Sequence, residues 1–198
     1  MVQVTEETVV PAAPETGRND RPRPGRRALV LGAAAAGVLA LAGGIAFRLV
    51  HREATRDGSA VLALSLPDVD GRTQPLAQWR GKVLIVNFWA TWCAPCREEM
   101  PEFVAVQARD GAKGVQFVGI AVDDVDKVRA FAREIGLNYP ALIGGYGAIE
   151  LSKTLGNNLS ALPFTVVLDR AGRVAHTQLG PLKQARLDRL LEDLLPVG

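Results

Sequence analysis

Cysteine and histidine are among the scarcest residues in this 198-residue chain, which holds two of each. A disulfide framework needs several separated cysteines, and a structural zinc site normally needs four ligands. Cys93 and Cys96 stand too close together to staple a loop, but their spacing suits an exchanging dithiol. His51 and His176 lie far from the pair, so no metal is expected, and no pattern asks for a cofactor. An excess of charge of one sign is also missing. The 23 Lys and Arg residues nearly balance the 21 Asp and Glu residues, for a formal net charge of +2. That balance leaves no electrostatic footprint for a nucleic-acid partner. Internal repeats are absent from the folded part. Hydrophobic residues make up 48% of the chain, enough for one ordinary domain with an appendage.

The appendage is N-terminal. Residues 1–27 are polar and rich in proline and arginine, ending in Arg18, Arg21, Arg23, Arg26 and Arg27. They are expected to form a disordered basic tail. From Ala28 to Phe47 there are 20 residues without a charge, followed by Arg48, Arg52 and Arg56. About 20 apolar residues cross a bilayer core as a helix, so residues 28–50 are expected to be a single-pass anchor. Five arginines before the span against three after it favour an N-terminus inside and a domain facing the extracytoplasmic space, at the inner membrane. A cleaved signal segment is the competing reading. Ala40-Leu41-Ala42 resembles a small-residue cleavage site, although the charge-free run continues past it. The pair Arg26-Arg27 sits in surroundings that match a twin-arginine signal poorly. Residues 51–58 read as a linker, and 59–198 as the folded domain.

Within the domain, short apolar runs alternate with helical periodicity. Leu62–Leu66 and Gln74–Leu76 flank Asp70-Gly71 and predict a hairpin with a two-residue turn. The apolar run Val83–Trp89 predicts a buried central strand, followed by a helix over Ala94–Ala108. A second buried strand is expected at Val115–Val122. Asp123 or Asp124 is then placed to cap a helix over Val125–Ile135. Pro140–Ile143 is a short extended piece, Gly144–Gly147 a turn, and Ala148–Leu155 a helix. A hairpin, Phe164–Leu168 with Val174–Gln178, and a helix over Leu182–Leu195 complete the order. This order predicts an α/β fold, with a mixed sheet covered by helices on both faces.

The Cys93-Ala94-Pro95-Cys96 run falls between a buried strand and a helix. The first amides and the dipole of that helix favour a thiolate, the species that attacks disulfides. Cys93, at the helix end, is the expected nucleophile; Cys96, one turn in, is the expected resolving thiol. Pro95 stiffens the first turn where a missing N–H costs nothing. Trp92 is expected to lie over the site and Trp89 in the core.

The run Val86–Pro101, together with Trp79-Arg80-Gly81-Lys82 and Leu162-Pro163, resembles the TlpA/ResA-like membrane-anchored thiol–disulfide oxidoreductases of the thioredoxin superfamily. The resemblance covers about the last 135 residues. It implies a thioredoxin fold with an added N-terminal β-hairpin and places a cis-proline at Pro163, where Leu162 and Pro163 would help hold a partner's extended chain. It aligns Pro101 with the family's helix kink and Glu99 with the acidic residue that tunes the pair. Asn87 stands where thioredoxin has a buried aspartate. Asparagine takes up no proton, which leaves Glu99 as the nearby candidate for deprotonating Cys96. An ordinary solvated helix position is the other reading of Glu99. Ala161 replaces a common glycine and Phe164 a common threonine, departures that weaken inference about clients. The resemblance further implies reduction of client disulfides, such as those of apocytochromes c or copper-site oxidase assembly factors, with electrons from a DsbD/CcdA-like membrane dithiol carrier. An oxidant or isomerase is the alternative, although Ala94-Pro95 lacks the histidine found between the cysteines of strong oxidants. A thiol peroxidase wants Pro-x-x-x-Thr-x-x-Cys, which neither cysteine satisfies. Copper(I) binding by Cys93, Cys96 and Met100 is a further possibility.

Overall fold

The computed structural model describes residues 57–195. The expected basic tail, the membrane segment and most of the linker lie outside the described residues. No helix among the described residues is long and apolar enough to cross a membrane.

The chain enters through a helical turn, α1 (Ser59–Leu62), where a strand arm beginning at Leu62 is expected. The Asp57 carboxylate explains the difference: it accepts hydrogen bonds from the Ser59 N–H (2.9 Å) and hydroxyl (2.7 Å), which starts a turn. Val61 and Leu62 are thereby delivered to the core. Asp57 also bridges to Arg173, so the last two residues expected in the linker join the domain. Strands β1 (Ser65–Pro67) and β2 (Thr73–Pro75) pair antiparallel. Their connection spans residues 68–72 rather than the two expected from Asp70-Gly71. Asp68 organises it: its Oδ1 accepts from the N–H of both Asp70 and Arg72, at 2.9 Å each. Gly71 supplies the left-handed conformation, at φ 80°.

A five-stranded mixed sheet forms the centre, in the order β5-β4-β3-β6-β7. Its strands are β3 (Val83–Trp89), β4 (Val115–Ala121), β5 (Ala141–Ile143), β6 (Phe164–Leu168) and β7 (Val174–Leu179). β3, β4 and β5 run parallel, while β6 lies antiparallel to both β3 and β7. The helices are α2 (Ala94–Asp110), α3 (Val125–Glu134), α4 (Gly145–Thr154) and α5 (Gln184–Leu194). The helix α4 takes in Gly145 and Gly147 of the expected turn, with Gly144 as its N-cap, and buries Ala148 and Ser152. The turn between β6 and β7 repeats the β1–β2 chemistry. Asp169 accepts from the Arg173 N–H at 2.9 Å, and Gly172 sits at φ 82°. Both loops read Asp-x-x-Gly-Arg.

The period-2 alternation of a strand divides β3 between two cores. Val83, Ile85 and Trp89 face α2, α3 and α5, packing with Phe103, Phe131 and Leu187. Leu84, Val86 and Phe88 face the opposite side, with Leu62, Leu76, Trp79 and Ala148. Helices therefore cover both faces of the sheet. Position 87 belongs by alternation to the first face, and there the apolar series is broken by an asparagine.

Candidate active site

Cys93 and Cys96 are joined as a disulfide, with their Cα atoms 5.3 Å apart. The β3 strand ends at Trp89, and four residues later Cys93 takes an extended backbone (φ −87°, ψ 99°) as the N-cap of α2. Its Sγ accepts the Cys96 N–H at 3.3 Å, so this sulfur lies at the positive end of the helix. Pro95 occupies the first turn and is half-buried. Cys93 is 6% exposed and Cys96 fully buried, so only one sulfur meets a partner. The loop before the pair is fixed from outside it. The Asp123 carboxylate accepts from the Thr91 N–H at 3.1 Å and also from the Thr91 hydroxyl. The helix cap is the neighbouring Asp124, which accepts from the Asp126 N–H at 2.9 Å.

Trp92 is 68% exposed beside the disulfide, whereas Trp89 is fully buried. The Leu162–Pro163 peptide bond is cis. Pro163 is buried, and Leu162 is half-buried against the same apolar cluster that holds both cysteines.

Glu99 follows Cys96 by three residues and has no exposed surface. The stripe Cys96, Glu99, Met100, Phe103 and Val106 forms the buried side of α2, so a solvated position for Glu99 is ruled out by packing. Its Oε1 accepts from Asn87 Nδ2 at 2.8 Å, and its Oε2 accepts from the Leu182 N–H at 2.7 Å. Asn87 Nδ2 also donates to Thr165 Oγ1 at 3.0 Å, which uses both amide hydrogens, while Asn87 Oδ1 is buried without a partner. Burial of the carboxyl raises its pKa from 4.5 to about 7, against the two donors and the nearby Lys183, which favour the ionised form. A carboxylic acid that titrates near neutrality thus lies one helical turn from the less accessible sulfur. Arg97, next to Cys96, stacks over the Phe131 ring at 4.6 Å and pairs with Glu134 at 3.2 Å.

The expected residues Cys93, Cys96, Pro95, Trp92 and Glu99 share one end of α2. Three contributors escape motif reading: Thr165, the Leu182 N–H and Glu102, which accepts from the Gln184 N–H at 2.6 Å. Thr165 faces Asn87 across the antiparallel β3–β6 register, and this pairing was the signal that would have found it. Among the described residues no cluster of three His, Cys, Asp or Glu side chains has metal-site geometry.

A thioredoxin-like sheet carrying a Cys-x-x-Cys disulfide at the start of its first long helix defines a thiol–disulfide oxidoreductase. The chain belongs to the Redoxin family, whose model matches residues 56–194. It is similar to the thiol-disulfide oxidoreductase ResA of Bacillus thuringiensis subsp. konkukian (strain 97-27), at 28% identity over 165 residues; these cover 80% of this chain and 93% of that relative. A solved structure of a thiol:disulfide interchange protein of the thioredoxin family from Chlorobium tepidum TLS matches with a TM-score of 0.62 and 34% identity. It covers 67% of this chain and 93% of its own. A secreted Mycobacterium tuberculosis disulfide oxidoreductase, described as homologous to E. coli DsbE, matches with a TM-score of 0.58 and 25% identity, over 67% of this chain and 97% of its own.

Proposed function

We propose that this protein reduces disulfides of client proteins outside the cytoplasm, anchored through residues 28–50. The compartment rests on the charge-free Ala28–Phe47 run and its flanking arginines, and the secreted relative is consistent with it. The observation that carries the reaction is the buried Glu99 carboxyl, one turn from Cys96 and poised to exchange a proton near neutral pH.

In the reduced protein, the Cys93 thiolate attacks one client sulfur and expels the other as a thiolate. Cys96 gives its proton to ionised Glu99 and attacks Cys93 Sγ. The client sulfur bonded to Cys93 leaves as a thiolate, two electrons have passed to the client, and the Cys93–Cys96 disulfide remains. Asn87 supports both states of Glu99. Its amide donates to the carboxylate as seen; turned over, its oxygen accepts from the protonated acid and from the Thr165 hydroxyl. Leu162 and Pro163 hold the client chain beside Trp92. A membrane dithiol carrier of the DsbD/CcdA kind returns the electrons, and apocytochromes c or copper-site assembly factors are the proposed clients.

The midpoint reduction potential of the protein in detergent tests the direction. A value near about −270 mV, as in thioredoxin, supports a reductant. A value near about −120 mV, as in DsbA, would make it an oxidant and remove the cytochrome and copper-site clients.

A further inference from the structure

The two ends of the central sheet differ in chemistry. The disulfide lies beyond Trp89, the last residue of β3. The opposite end is fixed by register: β3 and β4 start side by side at Val83 and Val115, and Leu168, the last residue of β6, pairs with Leu84. Seven residues of β3 put about 23 Å between the two ends.

The loops at this far end carry Arg80, Lys82, Lys113, Arg170 and Arg173. They are knit into one surface. Arg170 donates to the Lys113 carbonyl at 2.9 Å, and a Cβ on Gly172 would lie 3.9 Å from Arg80 Nη1. The acids that pair here lie beneath their cations. Lys113 is 62% exposed over Asp110 at 5%, and Arg173 is 71% exposed over Asp169 at 19%. Asp57 is exposed, and both of its oxygens accept from Ser59. The face that meets solvent is therefore positive, although the whole chain is close to neutral. The exposed loop tips, Ala112 and Ala171, are small, so nothing bulky keeps a flat surface from the charges.

The chain enters the domain at this same end. The Gly58 N–H donates to the Gly172 carbonyl at 3.1 Å, and Asp57 bridges to Arg173. Residues 48–56 alone separate that entry from the charge-free Ala28–Phe47 run, and among them Arg48, Arg52 and Arg56 outnumber Glu53.

We infer that this basic end docks the domain on the anionic lipid headgroups of the membrane that holds residues 28–50, with the dithiol on the far side. The inference rests on the proposed anchor. Lipid is the occupant because the tether delivers this end to the bilayer, where phosphate charge attracts each Lys and Arg. A docked domain presents Cys93 to clients in solution. Attraction of this kind is reversible, so the domain can let go to meet a membrane carrier.

Acylation by a membrane-impermeant succinimidyl ester tests the docking on the unaltered full-length protein in vesicles. Lys113 should react about fivefold more slowly in phosphatidylglycerol mixed with phosphatidylcholine than in phosphatidylcholine alone. Lys127, paired with Asp123 at the disulfide end, should react equally in both. Salt at about 0.5 M should erase the Lys113 difference by screening. The double variant Arg80→Gln, Arg170→Gln should lose it as well; the salt comparison needs no variant, so the test stands if that protein fails to fold. Equal Lys113 rates in the two lipids would overturn the docking. Slowing of Lys127 in place of Lys113 would put the dithiol end on the bilayer and overturn it too. Protection of Lys113 in both lipids, insensitive to salt, would assign the face to a protein contact and overturn it likewise. Failure of the protein to float with either vesicle would strike the anchor itself, and the docking with it.

Discussion

Replacing Glu99 by Gln tests the buried acid directly in the oxidised protein, where neither cysteine titrates. Glu99 titrates at about 7 in the folded chain and near 4.5 when exposed. Between these values the native state holds a proton that the unfolded state has released. Stability therefore falls as pH rises through this window and is flat above it. At about 1.4 kcal/mol for each pH unit, the loss is on the order of 3 kcal/mol, or about 10 °C in Tm for a domain of this size. Burial lowers the pKa of His176, which gives the opposite slope because a histidine held neutral stabilises the fold as pH rises toward its ordinary value. That contribution is common to both proteins, so the difference between them isolates Glu99. Thermal melts at pH 5 and pH 8 are the assay. The Tm of the wild type minus that of Glu99→Gln should drop by about 10 °C from the lower pH to the higher. A difference that stays constant across the two pH values would refute the reasoning, whatever its absolute size.

Cys93→Ser should abolish client reduction, whereas Cys96→Ser should accumulate mixed disulfides visible on non-reducing gels; a fully active Cys96→Ser protein would sink the two-thiol mechanism. Gly119→Ala should destabilise the domain by about 1–3 kcal/mol in urea melts, since its Cβ would lie 2.8 Å from Trp89 Nε1 in a closed part of the core. Asp123→Ala should cost about 1–3 kcal/mol by leaving donors of Thr91 without their acceptor, and should also slow exchange, because the Thr91 loop leads into Cys93; unchanged melting and unchanged exchange would separate that loop from the site.

The central architecture was legible because its signals are strong and local. Val83–Trp89 is apolar at every position but Asn87, and the Cys-x-x-Cys follows it at the distance a strand-to-helix turn needs. Glu99 was half-legible. The spacing from Cys96 to Met100, Phe103 and Val106 already places position 99 on the buried side of α2, but a carboxylate there reads as surface until its donors, Asn87 and the Leu182 N–H, are known. The first hairpin forms, but its connection is longer than the two-residue turn that Asp70-Gly71 resembles. The acceptor two residues earlier, Asp68, controls the loop instead, and the Asp-x-x-Gly-Arg pattern shared with Asp169–Arg173 carried that information. The helical turn at Ser59, and the hold of the Asn157 amide on the Ala161 N–H and carbonyl, depend on side chain–backbone hydrogen bonds, which leave no periodic trace in a sequence.

The helix α5 has no side-chain cap of its own, since Lys183 holds the N-cap position without bonding back. Glu99 and Glu102, more than 80 residues earlier, accept from the Leu182 and Gln184 N–H groups in its place. The two helices are consequently not interchangeable modules. A chimera that imports α5 from a relative must also import acids at both α2 positions or leave two amide donors unmet at the seam. Segment exchange in this fold should thus follow the α2–α5 pair rather than the order of the chain.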